Sequence, residues 1–380
     1  MKNKKILLMA AHFHPYKGGL ENFALDLSTK LAKKGMDVDV LTYNLSENKE
    51  KETYQGITIY RLPSISILGK TYTLPKFNKK YKKILKNILS QKYDAIITNT
   101  RFFTTSYLGF KYSKKIKKHN KNAKFIHIEH GNVHVIHKNP LVTFLAWVYD
   151  QTAGRIIFRG ADLVVGISKP CANFAKKLGA RKTKVIHNSI DVEKFRPKKN
   201  NLRQRLNIPE KNLVILNGIG RLIYAKGLHD TFEAIKDMKD VTVVTIGDGP
   251  FENNLKNLAK KYKLKSVFPG RLSRDKIIEY LSVSDIFVNP SYSEGLPTCI
   301  LEAGAFGLPV IATDVGGTTE IISSKNEGIL IKPKDVNELR TQILKLQDAK
   351  KRRYFGTNIQ KKIMKEFDWN KNIDKFAEII

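Results

Sequence analysis

Four charged side chains in the second half of the chain stand at spacings that suit an anionic, hydroxyl-rich ligand. Arg221 and Lys226 lie within Gly218-Ile-Gly-Arg-Leu-Ile-Tyr-Ala-Lys-Gly227, a run flanked by glycines that follows an apolar stretch and precedes a helical pattern. Glycines let the backbone approach, a helix start offers N–H groups, and two fixed cations neutralise charge, which together suit a diphosphate. Negative charge that grows on a departing diphosphate oxygen is stabilised by the same cations without a metal. Glu294 and Glu302 lie within Asn289-Pro-Ser-Tyr-Ser-Glu-Gly-Leu-Pro-Thr-Cys-Ile-Leu-Glu-Ala-Gly304. A carboxylate on the loop accepts hydroxyl hydrogens from a sugar, and one about a turn into the helix accepts two vicinal hydroxyls of a ribose. Gly295 and Leu296 leave backbone N–H groups at that helix start, and Pro297 and Thr298 suit its first turn. The structural alternative is an Arg and a Lys solvated in a loop, Glu294 as a helix cap and Glu302 as an exposed helix residue.

Other candidates carry less chemistry. Ile246-Gly-Asp-Gly-Pro250 closes an apolar run, and such a tripeptide is most often a tight turn. In Pro15-Tyr-Lys-Gly-Gly-Leu-Glu21 the glycines Gly18 and Gly19 permit a phosphate-facing turn. Glu21 then sits at a helix N-terminus, where negative charge is favourable, though a plain capped turn reads equally well. His127-Ile-Glu-His-Gly131, with His134 and His137 beyond, gathers four histidines in eleven residues. Their spacing matches no common zinc pattern and thiolates are absent, so a metal is the lesser reading. His12 borders the same region or packs structurally.

The elements that must position these residues read as alternating strands and helices. Ile6–Ala11 is a short apolar run, Glu21–Lys34 has helical spacing, and Val38–Leu41 is the next strand. Ala95–Thr98, Phe125–Ile128 and Leu163–Ile167 read as further core strands. The alternation restarts with strands at Leu213–Asn217, Val241–Ile246, Val267–Phe268, Ile286–Asn289 and Val310–Thr313. Helices are expected at Leu228–Met238, Asn253–Tyr262, Asp275–Ser282 and from Thr298 onward. This β-α-β order predicts an α/β protein of two doubly wound, Rossmann-like domains facing a cleft, with ligands at the carboxyl ends of the strands. The expected division is 1–190, a linker 191–201 broken by Pro197, a second domain 202–365, and a last helix 366–380.

The chain has 380 residues, which favours two domains, and 42% hydrophobic content, which supplies their cores. Two cysteines, Cys171 and Cys299, point to a reducing compartment and exclude a disulfide framework. The lysines at positions 2, 4 and 5 imitate a signal peptide, but the apolar run that follows is short and lacks a cleavage pattern. No run approaches the roughly 18 apolar residues that span a bilayer, and Leu141–Tyr149, the longest apolar-rich stretch, is about half that. The expectation is a cytoplasmic protein, soluble or peripheral at the inner face of the cell membrane.

The ordered motifs resemble those of the retaining GT-B glycosyltransferases of family 4. These are Gly-Gly-x-Glu near the N-terminus, Gly-Arg-Leu-x3-Lys-Gly, Gly-Asp-Gly-Pro and Glu-Gly-x5-Leu-Glu. Val185-Ile-His-Asn-Ser-Ile-Asp-Val-Glu-Lys-Phe-Arg-Pro197 is similar to that family's interdomain signature, with Ser189 where Gly is usual. The resemblance implies that Arg221 and Lys226 hold the donor diphosphate. It implies that Glu302 binds the ribose, that Glu294 contacts the transferred sugar, and that Arg271 and Leu272 border the base. Gly316 and Gly317 fit a further loop near the diphosphate, and His130 faces the sugar from the first domain. The resemblance also implies that the last helix, 366–380, returns to the first domain. The activity implied is transfer of a hexose from a nucleotide sugar to a glycan or lipid-linked acceptor, with retention, in cell-envelope glycan synthesis. No Asp-x-Asp metal motif occupies a convincing loop, so no cofactor is expected. A sugar-nucleotide epimerase on the same fold is the near rival.

Charge is the unusual bulk property: 68 Lys and Arg against 35 Asp and Glu leave +33. An anionic partner follows. No helix-turn-helix, zinc finger or aromatic ribonucleoprotein signature is present, so no specific nucleic acid is expected. Between Arg61 and Lys124 there are 17 Lys or Arg and one acid, Asp94, a balance of +16. Within it Phe77, Tyr81, Ile84, Leu85, Ile88 and Leu89 recur at helical spacing among Lys79, Lys80, Lys82, Lys83 and Lys86. This basic amphipathic pattern reads as a membrane-surface element or, equally, as a core-facing helix with a solvated lysine face.

Overall fold

The computed structural model describes residues 4–16, 18–46, 48–67, 72–135, 140–197 and 200–380. The chain divides into two compact units, Met1–His187 with Ile373–Ile380, and Asn188–Asn372.

In the first unit the strands are β1 (Lys5–Met9), β2 (Asp37–Asn44), β3 (Lys51–Tyr54), β4 (Ile57–Ile67), β5 (Tyr72–Pro75), β6 (Ala95–Asn99), β7 (Lys124–Glu129), β8 (Leu163–Gly166) and β9 (Thr183–Val185). They form one sheet in the order β3-β4-β2-β1-β6-β7-β8-β9, with β5 on β4. Ile6, Leu7, Leu8 and Met9 are all fully buried, because a central parallel strand is covered on both faces. The order reverses at β1, which pairs with β2 on one side and β6 on the other, so the loops after β1 and β6 flank a switch point. Helix Gly19–Lys33 buries Phe23, Leu27 and Leu31. Phe23 meets Phe376 with ring centroids 6.0 Å apart. Ile373, Phe376, Ala377 and Ile380 are buried, and Lys124 Nζ donates to the Ile379 carbonyl at 3.0 Å.

The basic helix forms at Lys79–Leu89 behind an Asn78 cap. Tyr81 and Ile88 are buried in the core, with Ile84, Leu85 and Leu89 packed against it, while its lysines are exposed. Its apolar face is thus spent on the sheet, and Phe77, expected on that face, lies before the cap and is exposed. The helix offers only charge to a partner.

In the second unit six strands, β10 (Leu213–Ile219), β11 (Val241–Ile246), β12 (Lys265–Val267), β13 (Ile286–Asn289), β14 (Val310–Thr313) and β15 (Ile329–Ile331), form a parallel sheet ordered β12-β11-β10-β13-β14-β15. Here the order reverses between β10 and β13. The segment 191–201, read from sequence as a linker, belongs to this unit, and its Phe195 is buried. The fold is two Rossmann-like α/β units.

Candidate functional site

The loops that leave the carboxyl ends of the second sheet are laced together by backbone hydrogen bonds. Gly220 N donates to the Ile246 carbonyl at 2.9 Å and Leu222 N to that of Asp248 at 2.8 Å. Tyr292 N donates to Ala225 at 2.8 Å, and Gly317 N to Gly295 at 3.0 Å. The motifs after β10, β11, β13 and β14 therefore form one surface. Two glycines make the lacing sterically possible. Gly227, at φ +61°, is so close to the next loop that a Cβ would lie 2.0 Å from the Pro290 carbonyl oxygen. Gly247, at φ +135°, would place one 1.7 Å from the Gly220 oxygen.

At the switch point between β10 and β13, Lys226 Nζ donates to Glu294 Oε1 at 2.7 Å. The same oxygen accepts from Ser291 Oγ at 2.6 Å and weakly from Asn289 Nδ2 at 3.4 Å. Burial opposes the Lys226 ammonium, but the attraction of Glu294 prevails and its pKa is raised. Lys226 thus stays charged, a cation held at a half-buried position. Arg221 is exposed beside buried Leu222. Gly227 opens the helix Leu228–Ile235, whose Asp230 accepts from the Tyr292 hydroxyl at 3.0 Å and ties the loop after β13 to this helix.

Helix Thr298–Ala305 starts one residue beyond Pro297, which takes the extended conformation of a cap. Cys299, Ile300 and Leu301 are buried, and Gly295, Thr298 and Glu302 are half-buried, the last two one turn apart on the same flank. Leu296 and Pro297 are buried beneath them. Arg271 lies near the other end of the surface and pairs with Asp248 of the Gly-Asp-Gly turn at 3.0 Å, both exposed. Leu272 is half-buried beside it, and Gly316, at φ +54°, leads into Gly317. The structure thus gathers the second-unit candidates around one set of strand ends, while His130, Gly18 and Gly19 belong to the first unit.

In the first unit, Gly18 caps helix Gly19–Lys33, and Glu21 Oε1 lies 3.5 Å from His12 Nδ1. His12 Nε2 meets Thr73 Oγ1 at 3.1 Å. His130 follows β7, with its ring edge-on to Phe23 at 4.7 Å. Burial pushes its pKa down to about 4, against the attraction of Glu129, so it is neutral near pH 7. Its Nε2, both side-chain polar atoms of Asn99 and the Thr100 hydroxyl are buried without a hydrogen-bond partner among the described residues. Thr100 also holds φ +59°, a costly conformation for a β-branched residue and one that clusters at functional sites.

Beneath His130 lies a buried charge cluster that sequence reasoning missed. Arg101 donates to Glu129 at 2.7 Å and to Asp150 at 2.6 and 3.1 Å, and all three side chains are fully buried. Burial opposes the Glu129 carboxylate, but Arg101 and His127 more than compensate and hold it at about 2. Glu129 also accepts from Gly131 N at 2.7 Å, which fixes the loop carrying His130. His127 is held by Thr98 at 2.8 Å and by Glu129, and His134 by Asp150. His137 lies outside the described residues. Among the described residues no three His, Cys, Asp or Glu gather as a metal site. The available signal for the cluster was the charge itself: Arg101 stands two residues beyond an apolar strand and Glu129 ends one, where an unpaired charge is costly.

Residues 17–194 match the family described as Glycosyltransferase Family 4, and residues 198–362 the one described as Glycosyl transferases group 1. An uncharacterised glycosyltransferase of Methanocaldococcus jannaschii is 29% identical, covering 100% of this chain and 98% of that protein. An Escherichia coli UDP-Gal:alpha-D-GlcNAc-diphosphoundecaprenol alpha-1,3-galactosyltransferase is 31% identical over 52% of this chain and 54% of its own length. Among solved structures, Anabaena HepE in complex with UDP-glucose superposes with a TM-score of 0.77 at 21% identity, covering 99% of this chain and 98% of that one.

Proposed function

We propose that this chain, whose two parts match glycosyltransferase family models, is a GT-B glycosyltransferase of the family 4 kind that moves a hexose, with retention, from a nucleoside-diphosphate sugar to a glycan or lipid-linked acceptor. The observation that carries the reading is the Lys226–Glu294 contact at the switch point, which joins the two strongest sequence motifs where such sheets bind ligands. The similarity to a protein with UDP-glucose bound supports the donor class, and the galactosyltransferase acting on a diphosphoundecaprenol-linked sugar supports the acceptor class.

Each residue has a role in this reading. Arg221 and Lys226 take the diphosphate, with the backbone N–H groups of Gly295, Leu296 and Thr298 around it and the Gly316-Gly317 loop beside it. Glu302 accepts the ribose hydroxyls, Arg271 and Leu272 border the base, and Glu294 holds both Lys226 and a sugar hydroxyl. As the anomeric C–O bond breaks, its electrons move to the phosphate oxygen, where the two cations meet the new charge. The acceptor hydroxyl attacks the same face of the oxocarbenium-like sugar and passes its proton to the departing phosphate. The unpartnered polar atoms of Asn99, Thr100 and His130 support hydroxyl binding at the strand ends of the first unit. The reading needs no cofactor, so activity is expected to survive EDTA. Lys79, Lys80, Lys82, Lys83 and Lys86 would attract the anionic inner leaflet that holds a lipid-linked acceptor, each worth about 1 kcal/mol.

The experiment is a thermal-shift screen of nucleotide sugars, followed by NMR of the product from a lipid-linked acceptor. A donor at a hundred times its Kd adds about 2.7 kcal/mol. A product of inverted configuration, or epimerised sugar nucleotide without acceptor, would sink the reading.

A further inference from the structure

Residues 140–149, Pro-Leu-Val-Thr-Phe-Leu-Ala-Trp-Val-Tyr, form a helix with no charged residue, and none of its ten residues is buried. Leu141 is 61% exposed, Phe144 56%, Leu145 56% and Trp147 45%, with Val142 also exposed. At 100° per residue these positions span about 220° of the helix circumference, and the half-buried Thr143 and Ala146 fill the rest. A helix that is apolar and exposed over so wide an arc belongs in an apolar surrounding, not in water.

Its mount is rigid. The helix runs directly into Asp150, the fully buried partner of Arg101. Tyr149 donates its hydroxyl to the Arg101 carbonyl at 2.7 Å and stacks on Phe102 at 5.9 Å. The chain continues as helix Arg155–Gly160, whose Ile157 and Phe158 are buried in the core. The apolar helix therefore stands beside the ends of β6 and β7, next to the loop that carries His130. The unit that carries it is basic. Helix Thr104–His119, which packs on Arg155–Gly160, carries Lys111, Lys114, Lys115, Lys117 and Lys118, and helix Lys79–Leu89 adds five more.

We propose that helix Pro140–Tyr149 inserts into one leaflet of an anionic bilayer and seats this unit at the membrane. Ten residues reach about 15 Å, half the ~30 Å hydrocarbon core, so the helix enters a leaflet without crossing it. No helix among the described residues is long and apolar enough to cross. Trp147 and Phe144, stacked 6.0 Å apart, suit the interfacial depth, and the strongly basic character of this unit suits anionic headgroups. The charge argues against a second copy as the cover, since two chains of +33 repel. The inference deepens the lipid-side acceptor reading and rests on it only for the choice of leaflet.

The chain has two tryptophans, and Trp369 is fully buried, so fluorescence quenching by bromine-labelled acyl chains reads Trp147. With phosphatidylglycerol-containing vesicles, Trp147 should be quenched and the signal lost in Trp147→Phe. The triple variant Leu141→Ser, Phe144→Ser, Leu145→Ser should weaken binding at least about tenfold and abolish its salt-resistant part. Replacing Lys79, Lys80, Lys82, Lys83 and Lys86 by Gln should weaken binding at low salt and leave Trp147 quenched in the bound fraction. Bound protein with unquenched Trp147, wild-type affinity in the serine variant, or no vesicle binding would overturn the insertion. So would a wild-type dimer that the serine variant dissociates in sedimentation. Donor thermal shifts are independent of this helix, so their failure would count against the transferase reading and leave the insertion standing.

Discussion

At the scale of single residues, the structure turns isolated charges into partners. The sequence offered Lys226 as a diphosphate cation and Glu294 as a sugar ligand, each with a plain alternative. The contact between them adds a dependence that neither motif shows, because Glu294 holds the ammonium charged against burial. In Glu294→Gln that attraction is gone and burial lowers the Lys226 pKa. Activity should then fail at a lower alkaline pH than in the wild type, which a pH profile of kcat would show. An unmoved alkaline limb would mean that Lys226 is held by something else. Arg221→Ala and Lys226→Ala should each cost about 2–4 kcal/mol of transition-state stabilisation, by analogy with removing one preorganised donor. Glu302→Ala should raise KM for the donor. His130 makes a different prediction, on stability. Its pKa is about 4 folded and about 6.5 unfolded, so as pH falls through 6.5 the unfolded chain binds a proton that the folded one refuses. Stability should decline between about pH 6.5 and 4. Glu129, depressed to about 2, adds a further decline from about 4.3 downward. Melting temperatures of His130→Gln should lack the first decline and keep the second. The residues that sequence reasoning missed, Arg101, Glu129 and Asp150, share a property: they come together from three segments, so no local spacing announces them.

At the scale of elements, the alternation of apolar runs and helical spacing was legible for the strands whose buried residues form an unbroken apolar run. Strands β3, β4 and β5 went unread: β3 has half its residues exposed and carries no apolar run, and in β4 the buried Arg61 interrupts one. The turn signal between β3 and β4 was present: Gln55-Gly56, both at positive φ, is a two-residue hairpin connection. The basic helix was legible as a helix, but periodicity alone does not say whether an apolar face meets a sheet or a membrane. The glycines of the site were read as openings for a phosphate, and the structure adds a second reason for two of them. In Gly227→Ala and Gly247→Ala the new Cβ would overlap a neighbouring carbonyl oxygen at a positive φ, so the laced loops must part. Each should cost more than about 1 kcal/mol, the usual range for Ala where φ is positive, and lower the urea midpoint of the second unit. Gly19→Ala, which meets nothing within 4 Å, is the neutral control. Equal midpoints for all three would mean that the loops are not held as described.

At the scale of the whole molecule, bulk charge pointed to an anionic partner without saying where, and the two-unit organisation followed from length and from the restarted alternation. The placement of the last residues on the first unit was implied by the family resemblance, not by local pattern. Helix Trp369–Ile379 is amphipathic, and amphipathicity says that a face is buried, not against what. Its end belongs to the first unit, nearly two hundred residues earlier in the chain. Phe376 packs on Phe23, and Lys34 pairs with Asp374 at 2.5 Å. Four buried apolar side chains, Ile373, Phe376, Ala377 and Ile380, fasten this segment. Burying a large one contributes about 1.5–3 kcal/mol, and a domain's whole stability is about 5–15 kcal/mol. Deleting residues 373–380 should therefore destabilise the first unit severely, although the cut lies next to the second in sequence. Phe376→Ala is the milder probe, with an expected cost of about 3–5 kcal/mol. Hydrogen exchange decides the matter. Faster exchange should appear in β1, β2 and helix Gly19–Lys33, while the strands of the second unit keep their protection. Loss confined to the second unit, or spread evenly over both, would show that the terminal segment stabilises something other than the sheet it packs beside.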